Sequence, residues 1–177
     1  LIDLTAATPT VVATICTAAV GAVAPCPASG PTSVSVDYVR NIALVTNTGS
    51  KTIAIVDLSS KAISFVTPAL QDSPGAVGIN PVTGRALVAM QTRNYGILMD
   101  VTQSPPAFVG TVTISTGANT RVSVEPHLNW AMATPGGLGS LGIVDLNSQT
   151  VNQITNLSRT STANATGASN VVTVTVQ

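Results

Sequence analysis

The residues of this chain best equipped for chemistry are seven carboxylates, one histidine and two cysteines. Four of the carboxylates, Asp3, Asp57, Asp100 and Asp145, follow apolar runs of one type: Leu1-Ile2, Ile53-Ala54-Ile55-Val56, Gly96-Ile97-Leu98-Met99 and Leu141-Gly142-Ile143-Val144. Asp37 and Glu125 share a second recurring position with Asn80, and only Asp72 falls outside both sets. An aspartate at the end of a strand can accept backbone N–H bonds from two residues on and so fix a hairpin. Chemistry specific to one site would not recur in every repeat, so both sets read as turn-capping residues. Repeated calcium sites would need several clustered oxygens, often with more than one carboxylate each. His127 sits in a turn where the other repeats carry Val39 and Val82. With no second histidine and no nearby cysteine pair it does not make a zinc site, and no nucleophile-elbow motif accompanies it. The run Gly136-Gly137-Leu138-Gly139-Ser140 lacks the lysine and the following helix of a phosphate loop, so it reads as a hairpin loop. The expectation is no catalytic residue, no metal site and no cofactor: a protein that is not an enzyme.

The spacing of these residues identifies the elements that hold them. Asp57, Asp100 and Asp145 lie 43 and 45 residues apart. The turn openers Val36-Asp37, Ile79-Asn80 and Val124-Glu125 keep the same interval. Inside each repeat, four short apolar and β-branched runs are divided by turn residues. In the second repeat they are Ala76–Ile79, Arg85–Gln91, Gly96–Val101 and Ala107–Ile114. Short runs between such breakers are antiparallel strands, and no stretch has a sustained helical period. Four strands per repeat of this length is the pattern of a β-propeller blade. The expected fold class is therefore all-β, a propeller of four-stranded antiparallel blades.

Leu44-Val45-Thr46-Asn47, followed by Gly49-Ser50-Lys51-Thr52-Ile53-Ala54-Ile55-Val56-Asp57, resembles the YVTN-type propeller repeat, a relative of the NHL repeats. Leu1–Thr5 with Thr10–Ile15 is similar to the second half of that repeat. The resemblance covers residues 33–154 well and 1–15 in part. It departs from the pattern at Leu44, where the motif has tyrosine, at the Cys16–Cys26 insertion and in the tail. The motif is architectural, so the resemblance implies a fold and a frequent extracellular or surface location, with no shared catalytic residue.

The chain divides into a partial blade (1–15), a cysteine loop (16–32), blades at 33–66, 76–114 and 121–154, a Thr/Asn-rich linker (155–169) and a closing or exchanged strand (170–177). The resemblance implies complete rings of about six or seven blades, within the roughly 4–8 of propellers in general and more than this length supplies. Three readings follow: a four-bladed ring closed by joining both ends, a fragment of a larger ring, or a subunit completed by a neighbouring chain. The tail Asn170–Gln177 alternates as one strand without any charge, and an uncharged edge favours a paired strand.

Composition narrows the setting. Of 177 residues, 8% are charged, 45% hydrophobic and 3% aromatic, with a formal net charge of zero. Average domains carry roughly 25% charged residues, so the polar surface here is built mostly from hydroxyls and amides. The zero balance without a basic run excludes the electropositive footprint of a nucleic-acid binder. The apolar content excludes disorder. The longest apolar stretch, Val11 to Ala24, is shorter than the roughly 20 residues of a bilayer span, so no membrane span is expected. Cys16 and Cys26 read as one local disulfide of an oxidising compartment, which would stabilise by about 2.5–3 kcal/mol. Sequons at Asn156 and Asn164 are candidate glycosylation sites and agree with an outside location. The chain begins at Leu1 with no basic segment ahead of an apolar stretch, as expected of a processed mature protein or a piece of a longer one.

Trp130, at the position of Ile42 and Arg85 in the other repeats, and Tyr95 are the candidate partner contacts. The functional expectation is a non-catalytic extracellular propeller module with a structural or self-assembly role, in a surface layer or fibre. The alternatives are a protein- or glycan-binding module and a fragment of a larger propeller enzyme. Expected partners are further copies of the chain or a surface protein or glycan. Loops between second and third strands and between blades should share one face, the usual place for function.

Overall fold

The computed structural model describes residues 1–3, 7–17, 30–67, 70–114, 119–135 and 140–154. They form fourteen strands and no helix. A two-stranded hairpin of β1 (Ile2–Asp3) and β2 (Thr10–Val11) leads the chain. The first blade holds β3 (Pro31–Asp37), β4 (Ile42–Asn47), β5 (Thr52–Asp57) and β6 (Ile63–Val66). The second holds β7 (Pro74–Asn80), β8 (Arg85–Met90), β9 (Tyr95–Asp100) and β10 (Ala107–Thr113). The third holds β11 (Asn119–Glu125), β12 (Trp130–Pro135), β13 (Leu141–Asp145) and β14 (Val151–Ile154). Each blade is an antiparallel meander in chain order, and the leading strands β3, β7 and β11 pack against one another in sequence.

Each blade begins two residues ahead of the boundary read from the sequence. Pro31, Pro74 and Asn119 already pair across to Asn47, Met90 and Pro135, and a register shift follows each of them. A bulge at the head of a strand lets a residue join the ladder without continuing the side-chain alternation, so periodicity alone does not reveal it. The turn between first and second strands repeats as well. Asn41, Gly84 and Asn129 hold its left-handed position with φ of 55°, 69° and 55°, where Gly and Asn are tolerated best.

Every blade has two faces, and the blades stack forward face to rear face. Leu44, Ile53 and Ile55 on the forward face of the first blade are buried with Ala86, Val88, Met90 and Met99 on the rear face of the second. Leu87, Leu98 and Val112 on the forward face of the second meet Ala131, Ala133, Val144 and Leu146 on the rear face of the third. The middle blade is therefore covered on both sides, and β8 is buried continuously from Ala86 to Met90. A strand covered on both sides can be apolar at every position. By contrast β12 alternates exposed and buried residues over Trp130–Ala133, because only its rear face is covered.

Polar contacts supplement this packing. The Ser33 and Ser35 hydroxyls accept the backbone N–H groups of Val77 and Ile79 in the next blade, at 3.3 and 3.1 Å. The Thr46 hydroxyl donates to the Gly75 carbonyl. At the second junction Gly78 replaces a side chain altogether: a Cβ there would lie 2.7 and 2.8 Å from Val124 Cγ2 and Val122 Cγ1. Only glycine permits so close an approach of the two leading strands.

Candidate functional site

The recurring carboxylates are placed at turns. Asp57 Oδ1 accepts the N–H groups of Ser59 and Ser60, at 2.8 and 2.7 Å. Asp100 Oδ1 accepts from Thr102 at 2.9 Å, and Asp145 Oδ1 from Asn147 and Ser148 at 2.8 and 3.0 Å. The side chain of Asp3 is not among those described. The second set behaves alike: Asp37 Oδ1 accepts from Val39 and Arg40, Asn80 Oδ1 from Val82 and Thr83, and Glu125 Oε1 from His127. His127 lies in an exposed turn. Among the described residues no cluster of three or more His, Cys, Asp or Glu could hold a metal ion.

Asp37 and Asn80 also do something that turn chemistry alone does not require. The carboxylate of Asp37, fully buried, pairs with Arg40 at 2.7 Å, and Arg40 Nη1 donates onward to the Pro81 carbonyl of the next blade at 3.0 Å. Asn80, equally buried, uses Nδ2 to reach the Pro126 carbonyl and Asn129 Oδ1 of the third blade, at 3.0 and 2.8 Å. Each of these two turns is thus latched to the next. Sequence reasoning missed this half of their role. The available signal was Pro81 and Pro126, one residue after Asn80 and Glu125 at the repeat interval.

The opposite end of the blades carries a second polar cluster. Asp72, in the connection between the first two blades, accepts Arg93 Nε at 2.9 Å and the Tyr95 hydroxyl at 2.8 Å. Lys51 Nζ donates to the Gln71 carbonyl of the same connection. Tyr95 is half-buried against the core of the first junction, with its hydroxyl held by Asp72. Those contacts put the loops after β4, β6 and β8 on one face of the molecule. Cys16 is buried and Asn47 bonds the adjoining Thr17 through Oδ1 and Nδ2, whereas Cys26 lies outside the described residues. Asn156, Asn164, the run 136–139 and the strand expected over 170–177 lie outside them too.

Hydrogen bonding sets the acidity of these carboxyls. The Arg93 hydrogen bond, helped by Tyr95, holds Asp72 below the usual 3.8. Asp57 is lowered chiefly by the Ser60 N–H, and Asp145 by the N–H groups of Ser148 and Asn147. Burial pushes Asp100 up, but the Thr102 hydroxyl and N–H with Arg85 nearby leave it lowered overall. Because the folded values are depressed, these groups stabilise the fold above their unfolded pKa, and that contribution disappears as pH falls through the folded values. The thermal midpoint is therefore expected to stay level from pH 7 to about 5 and to drop below about pH 4. The part of the drop due to the Arg93–Asp72 pair, whose arginine is solvent-exposed, should shrink in high salt. A melting series that is flat down to about pH 2 would contradict this assignment.

Among the described residues, both ends of the stack leave apolar side chains exposed. On the forward face of the third blade, Trp130, Met132 and Ile154 are 40%, 38% and 40% exposed. At the other end the β1–β2 hairpin and its continuation cover only part of the first blade's rear face. A cleft of about 410 Å³ remains, lined by Leu1, Ile2, Val11, Ile15, Val34 and Val56 among others. Val34 in its wall and Val36 of β3 both stay exposed.

No protein-family model and no curated protein sequence matches the chain. Solved structures do. The hydrazine synthase of Kuenenia stuttgartiensis superposes with a TM-score of 0.63 at 12% identity, over 75% of this chain and 37% of that one. U3-55K and the WD40 repeats of RRP9 each superpose with a TM-score of 0.57 at 11% identity, over 70% of this chain and 36% of theirs. The fold is that of a β-propeller. The chain spans little more than a third of the length of these structures, 37% and 36%. In propeller terms, the exposed face of Trp130 and Met132 is the place of a following blade.

Proposed function

We propose that this chain is a non-catalytic, extracellular β-propeller module of the YVTN/NHL type with a structural or self-assembly role, as in a surface layer or fibre. The observation that carries the reading is the apolar surface exposed at both ends of the described residues, on a protein with only 8% charged residues and zero net charge. Low charge removes the repulsion that keeps soluble domains apart, and uncovered blade faces are natural contact surfaces. A disulfide between Cys16 and Cys26 and glycans on Asn156 and Asn164 belong to the same reading. They are tested by mass spectrometry of the non-reduced, alkylated chain from its native source. A second reading, a fragment of a larger propeller enzyme, draws support for its larger ring from the 37% and 36% of the matched structures that the chain spans. Electron microscopy of the purified chain separates the two. Ordered polymers are expected, and a monodisperse monomer that persists on concentration would overturn the self-assembly role.

A further inference from the structure

Three features of the third blade repeat the first blade's apparatus for holding its successor. Met132 stands at the position of Leu44, Ile143 at that of Ile55 and Leu141 at that of Ile53. In the first blade these three are buried against the second. Ser123 stands at the position of Ser35, whose hydroxyl accepts the Ile79 N–H of the next leading strand. Trp130 stands at the position of Ile42, which is packed against the same junction. The forward face of the third blade thus offers an apolar centre of Trp130, Met132, Leu141, Ile143 and Ile154, with a hydroxyl placed to receive a backbone N–H. Its equivalent is occupied in both earlier blades, so the face has a defined kind of occupant: the rear end of another blade.

A second copy of the chain presents a suitable end. Its hairpin and first blade expose Ile2 (59%), Val11 (71%), Val34 (61%) and Val36, all uncharged. Both junctions inside the chain join forward face to rear face, never like to like. We propose that the forward face of the third blade docks the hairpin end of a second copy, head to tail. Such a heterologous contact leaves one free end on each added copy and so propagates into a ring or a filament. The inference rests on the self-assembly reading above and names its surface and its partner.

Trp130 is the only tryptophan in the chain and lies in the proposed contact, so its fluorescence reports occupancy. In the full chain, its emission is expected to shift to the blue and to become protected from acrylamide as concentration rises. Two variants, Met132→Asp and Val34→Asp, each place a charge on one exposed end and leave the fold's melting behaviour intact. Each should weaken assembly by about thirtyfold or more, the scale set by central contacts of an interface. Mixed one to one, they should form a dimer that grows no further, because each retains one intact end. In that mixture the tryptophan of the Val34→Asp copy should become protected. If Val34→Asp alone still dimerises, the contact is face to face and the proposal is overturned. If neither variant alters an assembly that the wild type forms, the surface assignment falls while the self-assembly reading stands. A wild type that stays monomeric, with exposed Trp130, overturns both.

Discussion

Replacing Leu87 by alanine is expected to lower the unfolding free energy by about 3–4 kcal/mol, whereas Met132→Ala costs under about 1 kcal/mol in the dilute monomer. The two residues hold the same position in consecutive repeats. Leu87 is 0% exposed in the junction between the second and third blades, and Met132 is 38% exposed on the forward face of the third. Around Leu87 there is no slack: a Cβ on Gly96 would lie 2.7 Å from its Cδ1. The cavity left by truncation would therefore be walled by packed strands that relax little, which places the cost high in the range for large-to-small changes. In a chain of this size the loss corresponds to roughly 10 °C in melting temperature. Urea titration with a common slope measures both variants. Equal costs would mean that the third blade's forward face is covered in solution at low concentration. A Met132→Ala cost that grows with concentration is the signature of the head-to-tail contact.

That contrast also shows where reading the chain by itself runs out. The repeat interval, the four strands per blade and the strand-ending aspartates are local features. An apolar run closed by Asp57, Asp100 or Asp145 and followed by hydroxyl- or amide-bearing residues carries its own turn chemistry. Burial at equivalent positions is not local. Leu44, Leu87 and Met132 look alike in sequence, and only the presence of a next blade separates the buried pair from the exposed residue. The same holds for polar groups. Ser33 and Ser35 alternate with valines as an ordinary solvent-facing pattern would, yet their hydroxyls take up backbone N–H groups 44 residues away. Asp72 stood outside both repeated sets, and its role depends on Arg93 and Tyr95 from a different turn. What a residue does within its own hairpin was legible; what it does for the neighbouring blade required the stack.

Asn80→Asp tests that distinction directly. The turn role alone would tolerate the change, since an aspartate Oδ1 can accept the Val82 and Thr83 N–H groups as Asp37 does in the first blade. The latch would not. Asn80 is 0% exposed, and its Nδ2 donates to the Pro126 carbonyl and to Asn129 Oδ1. A carboxylate in its place loses both donated bonds and sets a buried negative charge against two oxygens. The expected loss at pH 7 is about 2–4 kcal/mol. Burial and repulsion raise the folded pKa of the new carboxyl above its unfolded value near 3.9. The deficit relative to wild type is therefore complete above that raised value and shrinks as pH falls through it, because the neutral acid can donate a hydrogen bond again. In the first blade the same charge is tolerated because Arg40 neutralises Asp37 and reaches the Pro81 carbonyl. Thr83 occupies the position of Arg40 in the second blade. Thr83→Arg combined with Asn80→Asp should consequently recover at least about half of the lost stability. Guanidinium denaturation across a pH series measures both effects. A single variant as stable as wild type at neutral pH would show that the Asn80 contacts across the junction contribute nothing.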